Sequence, residues 1–420
     1  MRNTAASRIR WLLIFWIFLV SAVAYLDRVN ISIAGRSIAQ EFHLSDIQLG
    51  GVFSAFVLGY AAAQAPAGWL ADRIGPRLIL LIGVVWWAVF TSLITVISPK
   101  LREIFLIAAS IRFCLGVGEA VVYPASNCIV AAWMPSSERG LANGWIFSGV
   151  GFGAGVTPPL ITYIMIHYGW RASFWCSAGL GLMVGAIWFL VARNNPRQHP
   201  WVTEKELALI EAGLPAGESG IKNRLSWSAI LTNGDVLLIT FSYFTYGYVA
   251  YIFFSWFFIY LNEIRHLNLR QSSLYTMLPF LAMTAGSLLG GWISDRLTRS
   301  LGKRAGRCGV AAFGIGLAAI FLALGTQAQS AQLATFTLAG GAGALYLAQS
   351  SFWSMSADIG GPSAGSVSGL MNAGGQIGAA VTVSLTPAIA LHSGWNASFL
   401  VAAGLCACGS LAWVFVRPAE

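Results

Sequence analysis

Hydrophobic positions along this chain fall into long, almost unbroken runs, with polar positions gathered in short stretches between them. A run of about 20 apolar residues wound as a helix matches the hydrocarbon thickness of a bilayer. Twelve are expected: 11–34, 48–71, 77–98, 102–132, 140–166 and 171–192, then 235–261, 272–294, 308–327, 331–357, 365–392 and 397–416. The longest polar stretch, Arg193 to Ser226, contains Pro196, Pro200 and Pro215 and divides the runs six and six. Within it, Thr203 before Glu204-Lys205-Glu206 is an N-cap pattern opening a short surface helix to about Ala212. The expected fold is therefore an all-α membrane protein of twelve transmembrane helices in two pseudo-symmetric six-helix bundles. The first bundle is placed at 1–192, a cytoplasmic linker at 193–234 and the second bundle at 235–420.

The halves repeat each other. Gly68-Trp69-Leu70-Ala71-Asp72-Arg73 ends the second run and Gly291-Trp292-Ile293-Ser294-Asp295-Arg296 ends the eighth, and basic residues follow each. Two rocking halves with a substrate site near the midplane between them call for a repeat of this kind. Gly149, Gly151, Gly153 and Gly155 crowd the fifth run, and Gly365, Gly369, Gly374, Gly375 and Gly378 crowd the eleventh. Small residues let helix backbones approach closely in lipid.

Composition supports this picture. Only 10% of the 420 residues are charged and 57% are hydrophobic, against roughly 25% charged in an ordinary soluble domain. The net charge of +9 is unevenly spread: 17 of the 25 Lys and Arg fall in segments on one side, six on the other, and Arg28 and Arg112 within runs. That asymmetry is the positive-inside signature. It puts both termini in the cytoplasm and gives no support to a nucleic-acid partner. The apolar run from Trp11, behind Arg8 and Arg10 and ending in Ser21-Ala22-Val23-Ala24, has the outline of a cleaved signal. It continues to Ala34, however, and the first half needs this helix to reach six. The six cysteines lie in or beside apolar runs with no CxxC pair, so neither a disulfide framework nor a metal site is expected.

Four charges stand inside the runs: Asp27, Arg28, Arg112 and Glu119. Each costs roughly 2.5–3.5 kcal/mol at a helix centre, so they must pair or line a wet cavity. Arg112 and Glu119, seven residues apart, share a helix face about 10 Å apart. Asp27 and Arg28 point about 100° from each other. Cross-helix pairing, each acid with an arginine of the other helix, is the arrangement expected. A carboxylate that takes up a proton would release its arginine, and the planar guanidinium would then grip a substrate carboxylate bidentately. None of the five histidines lies within a run away from its ends, which favours a carboxylate relay. Gly361-Pro362-Ser363-Ala364-Gly365 spells a hydrolase elbow but follows a membrane helix, not the strand that motif requires. No Walker phosphate loop appears. An enzyme is not expected, nor is a cofactor.

The stretch Gly68-x-Leu70-Ala71-Asp72-Arg73-x-Gly75-x-Arg77 resembles the signature between helices two and three of the major facilitator superfamily. The resemblance implies a cytoplasmic gate of Asp72, Arg73 and Arg77, with Asp295 and Arg296 in a degraded second copy, broken as the halves rock. Tyr25-Leu26-Asp27-Arg28-Val29-Asn30, with Arg112-x6-Glu119-Ala120-x3-Pro124, resembles the anion:cation symporter branch, which includes proton-coupled transporters of galactonate, glucarate and hexuronates. By that resemblance Asp27 and Glu119 would couple protons. Tyr25, Arg28, Tyr60, Arg112, Trp353 and Asn372 would line the substrate path. The function implied is import of an organic mono- or dicarboxylate, a sugar acid first, by proton symport with alternating access. The expected setting is the plasma (bacterial inner) membrane, with a small organic anion, protons and the lipid bilayer as partners and a functional monomer. One departure bears on the substrate: several sugar-acid members carry Gln after the Ser-Gly of the fifth helix, and here Val150 follows Ser148-Gly149. Pro158-Pro159 at the end of that helix and the ring-rich seventh run, which includes Phe258, leave open the alternative of an organic-anion exchanger or efflux carrier for aromatic carboxylates.

Overall fold

A computed structural model describes residues 7–213, 225–257, 260–267 and 269–417; Pro215 and Phe258 lie outside the described residues. Among these residues the regular structure is helical. The first half comprises α1 (Ile9–Phe42), α2 (Asp46–Ile74), α3 (Pro76–Leu93), α4 (Ile104–Glu119 continuing as Val122–Trp133), α5 (Arg139–Tyr168) and α6 (Trp170–Val191). In the second half, α7 is Gly234–Ser255 and α8 lies within Leu269–Lys303. Then come α9 (Val310–Gln327) and α10 (Ala331–Leu347 continuing as Gln349–Gly360). Finally α11 and α12 share Ala364–Phe415, divided at Gly394.

Among the described residues, nine helical stretches are long and apolar enough to cross a membrane. One of them, Leu274–Gln327, contains α8 and α9 end to end. α10 and α11 are spans of another kind, because their polar side chains face protein instead of lipid. Ser350, Ser351, Ser354 and Ser356 of α10 and Ser366, Ser368 and Asn372 of α11 are all buried. The opposite character marks α3 and α9, where Ile82, Val85 and Val89, and Phe313, Ile320 and Leu324, lie exposed at helical spacing. An apolar outer stripe on a buried-polar interior is the inverse of a soluble fold and fits a lipid solvent.

The repeat is visible in the backbone as well. Gly75 and Gly302 turn the chain from α2 to α3 and from α8 to α9, with φ of 96° and 85°. Gly169 and Gly394 do the same for α5 to α6 and α11 to α12, with φ of 81° and 82°. Only glycine adopts such values without steric cost. The middle helices also break at matching places, α4 at Ala120–Val121 and α10 at Ala348. In α4 the cause is Pro124, which has no N–H to offer the carbonyl four residues back.

Two seams join the halves, α2 against α11 and α5 against α8. Each closes through backbone contact that a side chain would block. A Cβ on Gly68 would strike the Gly365 carbonyl oxygen, and one on Gly291 would strike that of Gly140. The glycines of α5 serve two partners, Gly149 and Gly153 meeting α1 while Gly151 meets α8. Those of α11 divide likewise, Gly365 and Gly369 facing α2 and Gly374, Gly375 and Gly378 facing α7. The short helix Glu204–Ala212 forms where the cap pattern places it, with the Thr203 hydroxyl accepting from Glu206 N. It is not a free surface helix, because Glu206 is fully buried against Ile9 N, Arg10 and Ser7.

Candidate functional site

The four intramembrane charges are buried together in the first half. Asp27, Arg112 and Glu119 are 4%, 4% and 2% exposed. Arg28 Nε donates to Glu119 Oε1 at 3.0 Å, so one of the two expected cross-helix pairs is made. The second differs from expectation: Asp27 accepts instead from the Thr91 hydroxyl of α3 at 2.7 Å, and no ion pair between Asp27 and Arg112 forms among the described residues. Arg112 lies 4.7 Å from the centre of the Phe56 ring. Arg28 is held by three rings, Tyr60 at 4.2 Å, Tyr25 at 4.7 Å and Phe56 at 5.1 Å. Aromatic faces attract a guanidinium without consuming its hydrogen bonds. Four polar atoms of the quartet are left without a hydrogen-bond partner: Asp27 Oδ1, Arg28 Nη2, Arg112 Nε and Glu119 Oε2. Buried polar groups in a finished core are normally satisfied, which makes this cluster of unpartnered atoms a candidate site.

Beside Arg28 lies a cavity between the halves. Its free space is about 40 Å³, room for a few waters at most, so the halves are drawn in around it. Tyr25, Tyr60, Tyr123, Phe147 and Val150 line it from the first half. Tyr243, Tyr246, Tyr251, Phe254, Tyr346, Gln349, Asn372 and Gln376 line it from the second. Glu119 stands just before the break in α4 and Gln349 just after the break in α10, so the two breaks carry a charged acid in one half and a neutral amide in the other, on opposite sides. Tyr25, Tyr60 and Asn372 thus reach the cavity. Trp353 stands one layer behind, 1% exposed, packed on Phe147 at 5.0 Å and donating to the Tyr243 hydroxyl at 3.2 Å. Sequence reasoning passed over Thr91, Phe56, Gln64, Gln349 and Gln376; the period-four spacing of Phe56 and Gln64 around Tyr60 along α2 was the signal available for two of them.

At one end of the molecule the seams are locked by carboxylates. Asp72 accepts from the Gly365 and Ser366 backbone N–H groups at 2.9 and 2.8 Å, capping α11 across the interface. Asp295 accepts from Gly140 and Leu141 N–H at 2.8 and 2.6 Å, capping α5 in the same way. A carboxylate at a helix N-terminus meets orphan donors and the positive end of the helix dipole. The arginines expected beside them do other things. Arg73 lies over Trp69, Arg296 over Trp292, and Arg77 donates to the Phe189 carbonyl oxygen. The cations at the seam are Arg307, 2.8 Å from Asp295, and Arg139, 2.6 Å from Asp358. Cross-half bonds continue inward through Asn127 to Ser356, Asn143 to Ser354, and Asn372 to Gln64. Away from this end α2 and α11 separate, leaving an apolar groove along Val57, Leu58 and Ala61 on one side and Ile377, Ala380 and Val381 on the other.

Comparison with known proteins agrees with this architecture. The family model described as Major Facilitator Superfamily matches residues 17–382. A protein of Cupriavidus necator named a probable sulfoacetate transporter is 34% identical over 400 residues, 94% of this chain and 91% of its own length. A probable galactarate/D-glucarate transporter of Bacillus subtilis is 33% identical over 302 residues, 69% of this chain and 66% of its own length. Among solved structures, a proton:xylose symporter bound to 6-bromo-6-deoxy-D-glucose superposes with a TM-score of 0.78 at 14% identity, covering 99% of this chain and 98% of that one. At that identity the likeness is one of fold.

Proposed function

The chain belongs to the major facilitator superfamily, a multi-pass membrane transporter and not an enzyme, and we propose that it imports an organic carboxylate anion by proton symport. The observation that carries this reading is the Arg28–Glu119 pair, buried beside the central cavity with Arg28 Nη2 and Glu119 Oε2 both unpartnered. An intact pair is neutral and tolerable in a low dielectric. Protonation of Glu119 leaves Arg28 as an uncompensated cation, whose cost is relieved by an entering carboxylate. Proton and anion therefore load together, and neither is favoured alone. Asp27, bonded to Thr91 on a separate helix, serves as a second proton site on the path to Glu119.

Release follows when the halves rock about the closed site and the caps made by Asp72 and Asp295 come apart. The names of the relatives support an anionic cargo. With both termini assigned to the cytoplasm by the positive-inside rule, the closed end of this structure is the cytoplasmic one. Exchange of aromatic carboxylates is the second reading, favoured by the rings that fill the cavity.

The test is uptake into proteoliposomes, acid outside, of a panel of sugar acids and aromatic carboxylates, with protein-free liposomes subtracted. Wild type is expected to accumulate substrate under the gradient, and Glu119→Gln to lose accumulation while retaining counterflow. Equal accumulation by both would remove Glu119 from coupling, and counterflow without gradient-driven accumulation in wild type would favour exchange.

A further inference from the structure

Nine of the sixteen described residues around the central cavity carry aromatic rings, and none of the sixteen is charged. The cation nearest to it is Arg28, which lies on the faces of Tyr25 and Tyr60 at one end of the space. Arg112 stands one ring farther off, against Phe56, which is not part of the wall. A bound anion therefore meets one guanidinium. A second carboxylate on the same molecule would sit among tyrosines and amides with no counter-charge, a costly position for a desolvated ion.

The amides of the wall are already bonded, while the Tyr246 hydroxyl is left without a partner. Asn372 donates to Gln64 at 2.7 Å, Gln349 donates to the Tyr243 hydroxyl at 3.0 Å, and Tyr251 donates to Gln376 at 3.3 Å. A polyol would have to break these bonds to use the amides, and Val150, facing the same space, has no hydroxyl to give. The rings, by contrast, present flat faces: Tyr243 and Tyr246 lie parallel to within 3° with centres 5.1 Å apart. Tyr251 and Tyr25 each lean on Phe254, at 5.7 and 5.8 Å. Such surfaces take a planar apolar body by stacking or edge contact.

We infer that the cavity selects a monoanion with a flat, weakly hydroxylated body, of the benzoate class, over polyhydroxy acids and dianions. This rests on the carboxylate reading of Arg28 and narrows its substrate class. In it the carboxylate reaches Arg28 past Tyr25 and Tyr60, and the ring lies among Tyr243, Tyr246, Tyr251 and Phe254. The aromatic wall and its self-paired amides determine specificity, while the charge quartet determines coupling.

The experiment is calorimetric titration of the purified full-length protein with benzoate, gluconate and glucarate. Uptake of benzenesulfonate into proteoliposomes is measured alongside, because this flat monoanion stays charged and does not cross lipid unaided. Benzoate is expected to bind at least about tenfold more tightly than either sugar acid, the factor that one lost buried hydrogen bond supplies. Tyr243→Phe, which frees the Gln349 amide, is expected to narrow the ratio of benzoate to gluconate affinity several-fold. Gluconate or glucarate binding wild type as tightly as benzoate would overturn the inference and leave symport standing. Selective benzoate binding with benzenesulfonate uptake that ignores a proton gradient would uphold the inference and overturn symport. Binding of none of the three acids would overturn both.

Discussion

At the scale of single residues, the chemistry turns on how each buried charge is held. Arg28 keeps one directional bond to an acid and three ring faces, and its Nη2 is left without a partner and open to a ligand. Lysine in its place would keep the charge but lose the planar fork. Arg28→Lys is expected to raise the KM for transported anion by about tenfold or more, the loss of one charge-assisted hydrogen bond, with counterflow still measurable; an unchanged KM would show that the guanidinium does not meet the substrate. Thr91→Val removes the bond partner of Asp27 and is expected to shift the pH profile of uptake without abolishing it, measured from initial rates across pH. The sequence exposed the four charges because an ionisable residue stands out in an apolar run. It did not expose Thr91, since one hydroxyl in a membrane helix looks like any other. The expected Asp27–Arg112 pair failed for the same reason: spacing along one helix says nothing of what a third helix brings.

At the scale of elements, the helices were legible and the way they lock was not. The apolar runs located all twelve helices, and the helix after Thr203 begins at its cap. The gate signature pointed to Asp72 and Asp295, yet besides the Arg307 pair of Asp295 both cap backbone ends of α11 and α5 in the opposite half, where α11 begins at Ala364 and α5 at Arg139. No pairing of charges along the sequence could show that a carboxylate would meet N–H groups. Replacing such a cap costs about 0.5–2 kcal/mol, a factor of roughly 2 to 30 in an equilibrium. Asp72→Asn is expected to shift the population toward forms open at this end by a factor near the low side of that range. Spin labels on Arg73→Cys and Arg296→Cys, both exposed and outside the seam bonds, would report it in a background without the six native cysteines. An unaltered distance distribution in the Asp72→Asn background would show that the cap does not hold the seam.

At the scale of the whole molecule, two similar bundles carry different chemistry. The first supplies the charge quartet and part of the aromatic wall, and the second supplies the rest of the rings and the amides; under the proposed mechanism, coupling falls mainly to the first half and selectivity to both. The division at 1–192, 193–234 and 235–420 is proposed as the boundary of the moving bodies. The interlocked end, the contracted cavity and the groove opening between α2 and α11 away from it describe a transporter closed on one side with its centre drawn in.

The repeat in sequence made the two-fold plan readable, and Gly75, Gly169, Gly302 and Gly394 carry it into the backbone. The functional asymmetry was readable only in part: the four intramembrane charges of the first half stand out in the sequence, while the amide Gln349 beside the break of α10 does not. The central claim is that an anion and a proton cross together through Arg28 and Glu119. The direct measurement uses proteoliposomes holding a pH-sensitive dye, with no pH difference imposed and an inward gradient of gluconate, glucarate or benzenesulfonate, whichever binds the purified protein. Lumenal acidification that keeps pace with substrate entry in wild type and vanishes in Glu119→Gln is the predicted result. Substrate entry with no change in lumenal pH, or equal acidification in the variant, would contradict it.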